Sequence, residues 1–167
     1  DSFQVYHPKD WQFPWHAKGV VYSNKSTLEV KKGDYAAAEA MLKASIAYNM
    51  DSAKIVEYGL SSSSQLVHVY LMQGKTLEAK ELIDQIEPAI VSIDERYLDQ
   101  VLHKAKWKYY LSTGDTNKAY IYHLGFLALK DEIQLESHNY ADIDFSKEFD
   151  KIEDAYILKE LKVQNDI

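Results

Sequence analysis

Over most of the first 130 residues, apolar side chains recur at three- and four-residue steps, the spacing of helices that bury one face. Leu66, Val67, Tyr70 and Leu71 form one such set, and Ala79, Leu82, Ile83 and Ile86 follow it. The arrangement returns as Ala105, Trp107, Tyr110 and Leu111, then Ala119, His123, Phe126 and Leu127. A weaker version comes earlier, in Tyr22, Ser26 and Val30, then Ala38, Leu42, Ser45 and Ile46. Between the two halves of each set stands a glycine, Gly33, Gly74 or Gly114, with an alanine five positions on. Glycine supplies the left-handed backbone that ends one helix, and the alanine is small because the next helix crosses closest there. The pattern predicts helices over 15–32, 35–48, 52–73, 76–91, 95–113 and 116–137. The run Gly59-Leu60-Ser61-Ser62-Ser63-Ser64 marks a local irregularity in the third of them.

The three glycines are 41 and 40 residues apart, so one helix–corner–helix unit is used three times. This resembles the tetratricopeptide repeat family. The glycine, alanine and Leu/Ile slots match in all three copies, and Tyr70 and Tyr110 match in two. The period exceeds the 34 residues usual for the family, which implies a lengthened first helix in each pair. Trp107 also stands where a small residue is usual, and Pro88 alone falls near the expected post-helix proline. The resemblance implies an all-α fold, a right-handed superhelix of three antiparallel helix pairs at about 15–48, 52–91 and 95–130. Residues 1–14 read as an extended lead-in whose Trp11 and Phe13 cover the first pair, and 131–167 as an acidic C-terminal capping or linker helix.

Charge separates the tail from the repeats. Residues 1–130 carry fifteen acidic and fifteen basic side chains, whereas 131–167 carry eleven and four and so hold the entire net charge of −7. With no basic stripe, the chain is a poor partner for nucleic acid. No segment approaches the roughly 18 apolar residues of a membrane span, and the absence of cysteine excludes disulfides and thiolate metal sites. In the tail, Phe145, Phe149, Ile152, Tyr156 and Leu161 recur at three- to five-residue steps, and Asp144 is placed to cap a helix from about 146 to 164. Such a helix either covers the last repeat or leaves the domain as a connector, pairing with a second copy as a coiled coil or leading to a membrane span.

Leu129-Lys130-Asp131, followed by Phe145, Glu148, Phe149, Lys151, Ile152 and Glu153, is similar to the region that joins tetratricopeptide sensor domains to their output in Bacteroidetes signalling proteins. Those proteins resemble two-component histidine kinases or helix-turn-helix regulators. The resemblance implies a periplasmic sensor that binds a peptide or protein segment and signals through the C-terminal helix. A free-standing cytoplasmic adaptor with no output domain is the alternative reading.

Candidate chemistry follows from the repeat phase. First helices line the groove of such a stack, which places Ser23, Asn24 and Thr27, then Gln65 and His68, then Lys104 and Lys108, off the packing seam. Lys104 and Lys108 are four apart and share a helix face. With Asn24 they resemble the carboxylate-binding clamp of chaperone-type tetratricopeptide domains, whose other residues are missing. Asn24, Thr27, Gln65, His68, Lys104 and Lys108 are therefore the expected partner-binding residues. Catalysis has no comparable signal: no nucleophile elbow, phosphate-cradling loop or paired metal-binding histidines occur, so neither enzyme activity nor a cofactor or metal is expected. His123 reads as a packing residue, and the neighbours Asp94 and Glu95 as solvated surface.

Overall fold

A computed structural model describes residues 8–136, with side chains from residue 15 onward. The fold is all-α: among the described residues there is no strand. The helices are α1 (Pro8–Lys32), α2 (Tyr35–Ile46), α3 (Val56–Met72), α4 (Thr76–Ile93) and α5 (Arg96–Thr113), with a π-helical turn over Ala47–Ser52. A sixth helix, α6, covers 116–136. The chain divides into two compact units, Asp1–Leu129 and Lys130–Ile167. The helix expected at 146–164 and the Phe145–Leu161 pattern lie outside the described residues.

Glycine closes three corners for the reason its spacing implied. Gly33, Gly74 and Gly114 have φ of 81°, 73° and 82°, where a Cβ is strained although nothing lies within 4 Å of it. In the first corner Asp34 N–H donates to Glu29 O at 3.0 Å, and in the second Lys75 N–H donates to Tyr70 O at 2.8 Å, the six-residue closure that satisfies orphan carbonyls. The next helix is then capped, since Asp34 Oδ1 accepts from Ala37 N–H at 2.9 Å and Asp115 Oδ1 from Lys118 N–H at 3.1 Å. Ala38, Ala79 and Ala119, five positions past the glycines, are all buried. Two other residues adopt left-handed backbone without being glycine: Lys54 (φ 57°) before α3, and Asp94 (φ 54°) between α4 and α5.

Packing proceeds mainly from neighbour to neighbour. Helix α2 lies on α1 and α3, α4 on α3 and α5, and α3 also contacts α5 directly. Leu60, Ile86, Ile90, Leu98 and Leu102 form one core cluster; Ala38, Leu42, Leu66 and Val69 a second; Val67, Ala79, Ile83 and Ala105 a third. Each fully buried leucine or isoleucine contributes about 2 kcal/mol. Among the described residues of the first unit, α6 meets α5 through rings. Trp107 stacks on His123 at 4.0 Å, which makes His123 a packing residue, and Tyr110 stacks on Tyr122 at 5.5 Å. Leu111 and Leu127, expected in the core, are 57% and 38% exposed, because the aromatic rings rather than the aliphatic slots carry this contact.

Several expected boundaries move. Residues 8–14 are helical rather than extended: Pro8 sits at the helix start, where its missing N–H costs nothing, and Pro14 forfeits one hydrogen bond further in. Pro88 lies inside α4, as the expected span 76–91 also had it, and α4 runs on to Ile93. Helix α1 has 25 residues and α2 has 12, whereas α4 and α5 have 18 each. The irregularity expected at 59–64 occurs earlier. Helix α2 ends at Ile46, and the π-helical turn leads to Lys54, with Ala53 N–H reaching back to Tyr48 O at 2.8 Å and Ile55 N–H to Asn49 O at 2.8 Å.

Helix α3 runs through the serine tract unbroken because each buried hydroxyl has a partner. Ser63 and Ser64 donate to the Gly59 and Leu60 carbonyls at 2.9 and 3.1 Å. Ser61 meets the Tyr97 hydroxyl at 3.1 Å, and Ser62 meets Ser45 at 2.9 Å. Ser45 also donates to Gly19 O at 2.8 Å, and Asn49 bonds both Ser45 and the His16 ring. The result is a largely buried polar seam joining α1, α2, the π-helical turn and α3. Gly19 is required there, since a Cβ would meet the Asn49 side chain at 2.5 Å.

Two substitutions check this packing. Ala79→Leu overpacks the α3–α4 crossing and lowers stability by about 1–3 kcal/mol in denaturant unfolding; parental stability would remove Ala79 from the crossing. Ser45→Ala leaves the Gly19 carbonyl and Ser62 hydroxyl without their partner and costs about 1–3 kcal/mol by the same measurement.

Candidate binding cavity

Three helices turn short polar and cationic stripes toward one cavity of about 300 Å³. From α1 come Ser26, Thr27 and Val30; from α3 come Ser64, Gln65, His68 and Val69. Helix α5 supplies Tyr97, Val101, Lys104, Ala105 and Lys108, and α2 supplies Leu42. Within each helix these positions recur at one-, three- and four-residue steps, so each set is a single face. Direct contact between α3 and α5 brings His68 within reach of the lysines.

Thr27, Gln65, His68, Lys104 and Lys108, expected from the repeat phase to be in a groove, all line this cavity. Asn24 does not: it is exposed, and lies three residues before Thr27, about 60° round the helix. The hydroxyl of Ser23, one residue earlier, accepts from Gln65 Nε2 at 3.4 Å and ties α3 to α1. Ser64 and Tyr97 were missed, although each continues a stripe already visible: Ser64 is four residues before His68, and Tyr97 seven before Lys104.

Among the described residues, no acidic side chain lines the cavity. Lys108 Nζ lies 3.3 Å from each ring nitrogen of His68, and the nitrogen that carries no proton can accept from it. Lys104 Nζ lies 5.8 Å from the centre of the Phe126 ring, a cation–π contact. Burial, followed by Lys108 and Lys104, pushes His68 down from 6.5 to about 4. The imidazole is therefore neutral at pH 7. Burial, then the positive Lys104, also lowers the Lys108 ammonium from its ordinary value.

Outside the cavity several lysines meet carboxylates. Glu39 accepts from Lys43 and from Lys75, each at 2.6 Å, and those two bonds hold its carboxyl down to about 2. Lys106 pairs with Glu87. The described residues hold no cluster of three or more His, Asp or Glu side chains able to bind a metal ion. No described helix is long and apolar enough to cross a membrane. Searched against protein-family models, curated proteins and solved structures, the chain matches none.

The His68 environment has a stability consequence. Because its folded pKa lies below its unfolded value, the unfolded chain binds the extra proton between about pH 6.5 and 4. His68 therefore contributes nothing adverse above pH 6.5 and destabilises progressively as the pH falls through that window, by about 1 kcal/mol for a half-exposed ring. Unfolding of His68→Gln followed from pH 7 to 4 should show a correspondingly flatter pH dependence than the parent; identical slopes would place the histidine in open solvent.

Proposed function

We propose that residues 15–130 are a tetratricopeptide-like repeat domain, three antiparallel helix pairs in a right-handed superhelix, and that the cavity between α1, α3 and α5 is its binding groove for a peptide or protein segment. The observation that carries this reading is the convergence of Thr27, Gln65, His68, Lys104 and Lys108, chosen from the repeat phase alone, on one cavity. It is supported by the three left-handed glycine corners with a buried alanine five residues later, and by packing that runs largely between neighbouring helices.

In this reading the domain senses its partner and passes the event on through the acidic segment 131–167, as in bacterial signalling proteins. Its positive, carboxylate-free lining favours an acidic segment. A groove built on helices holds such a segment at fixed side-chain pockets rather than through backbone pairing, so sequence selectivity rests on a few anchoring contacts.

A library of acidic peptides, measured by fluorescence anisotropy against the whole chain, tests the groove. Binding peptides should lose at least tenfold in affinity with Lys104→Glu/Lys108→Glu while the far-ultraviolet circular dichroism is unchanged. Retained affinity in the double variant removes the cavity from the binding site.

A further inference from the structure

The cavity pairs two unlike surfaces. Its lining carries Lys104 and Lys108, neither matched by a carboxylate among the described lining residues, together with an aliphatic floor of Val30, Leu42, Val69 and Val101. His68 joins them, with both ring nitrogens 3.3 Å from Lys108 Nζ. A neutral ring there partly satisfies the ammonium, and a protonated ring would set two like charges in contact. Placing an anion between the lysines offsets part of that repulsion. It offers Lys108 a stronger acceptor than imidazole, frees the ring, and makes its protonation favourable.

We propose that the cavity is a proton-coupled site for a carboxylate bearing an apolar body, with the carboxylate between Lys104 and Lys108, the body on the aliphatic floor, and His68 taking up a proton as the ligand enters. This deepens the reading of the cavity as a binding groove and rests on it. A carboxylate fits because its two oxygens can meet two separate ammonium groups, with no guanidinium fork present. The apolar body follows from the floor, which a small hydrated ion would leave bare. The groups acting on His68 are few: Lys104, Lys108 and the Tyr97 phenol face the cavity from α5, whereas α1 and α2 present Ser26, Thr27, Val30 and Leu42, none of which titrates in this range. His68 remains neutral without ligand down to about pH 4, so its proton uptake reports occupancy. The same chemistry can arrive as a free organic acid or as an acidic side chain of a peptide.

Imidazole nuclear magnetic resonance of the whole chain separates these cases, with His68→Gln assigning the signal and the other histidines serving as internal controls. Probes are hexanoate, acetate, hexanamide and a peptide blocked at both ends with one glutamate between leucines. Hexanoate should saturate, raise the His68 titration midpoint, and bind more tightly as pH falls from 7.5 to 5.5, by up to tenfold per pH unit where the bound ring titrates. Acetate should bind at least tenfold more weakly, and hexanamide should leave His68 unmoved. In Lys104→Gln/Lys108→Gln the hexanoate response should vanish, whereas His68→Gln should still bind with its pH dependence lost. A blocked peptide that moves His68 as hexanoate does identifies the peptide as a source; hexanoate alone doing so identifies a free acid. Hexanoate binding with the His68 midpoint unchanged, or hexanamide binding equally well, overturns the proposal. If the acidic peptides bind and His68 stays silent, the groove stands and the proton coupling falls; if neither peptide nor hexanoate binds, both fall.

Discussion

Everything in the first unit depends on how closely consecutive helices approach at the three glycine corners. A left-handed residue reverses the chain within a few positions, and an alanine five residues later lets the second helix lie against the first. Ala38 and Ala79 have no exposed surface and Ala119 has 4%, so each crossing is closed by a methyl group. With the crossings set, larger side chains fill the space further along each helix. Leu42, Leu60, Ile90 and Leu98 are fully buried there. The contact between α3 and α5, which makes the cavity, follows from the same spacing: α4 turns back closely enough for α5 to reach α3.

The cavity is electrostatically unlike the rest of the surface. Glu39 gathers two lysines and Glu87 another, whereas Lys104 and Lys108 share their recess with a neutral histidine and an aromatic ring. Keeping like charges together in a half-buried place costs stability, and the same arrangement stores attraction for an anion. The buried hydroxyl seam between α1, α2 and α3 is the opposite solution, because every serine there is satisfied within the protein.

What could be read from the chain alone follows from how local each constraint is. A glycine at a left-handed corner and an alanine five residues later are single-residue requirements, so Gly33, Gly74 and Gly114 placed the corners, and their phase placed five cavity residues. The π-helical turn over Ala47–Ser52 left no such mark: it contains no glycine or proline, and its carbonyls are satisfied by bonds across five and six residues that no side chain announces. The serine tract misled in the other direction, because weak helix formers are tolerated when their hydroxyls bond the preceding turn. Prolines at 8 and 14 gave extended backbone more weight than the first helix allows. Tyr97 was overlooked because it lies a full two turns from the lysines that define the stripe, and Asn24 was included although the helix carries it round to solvent.

Lys54 and Asp94 adopt the backbone that the corners reserve for glycine. The difference is one of chirality: an L side chain in that region costs about 1–2 kcal/mol, somewhat less for aspartate. The three glycine corners are thus relaxed, and the joints before α3 and between α4 and α5 are strained. Glycine, which weakens most positions by enlarging the unfolded ensemble, has a compensating gain at 54 and 94. Thermostability in this chain is therefore available at those two joints, through the residue that would ordinarily be avoided, and without touching the core or the cavity.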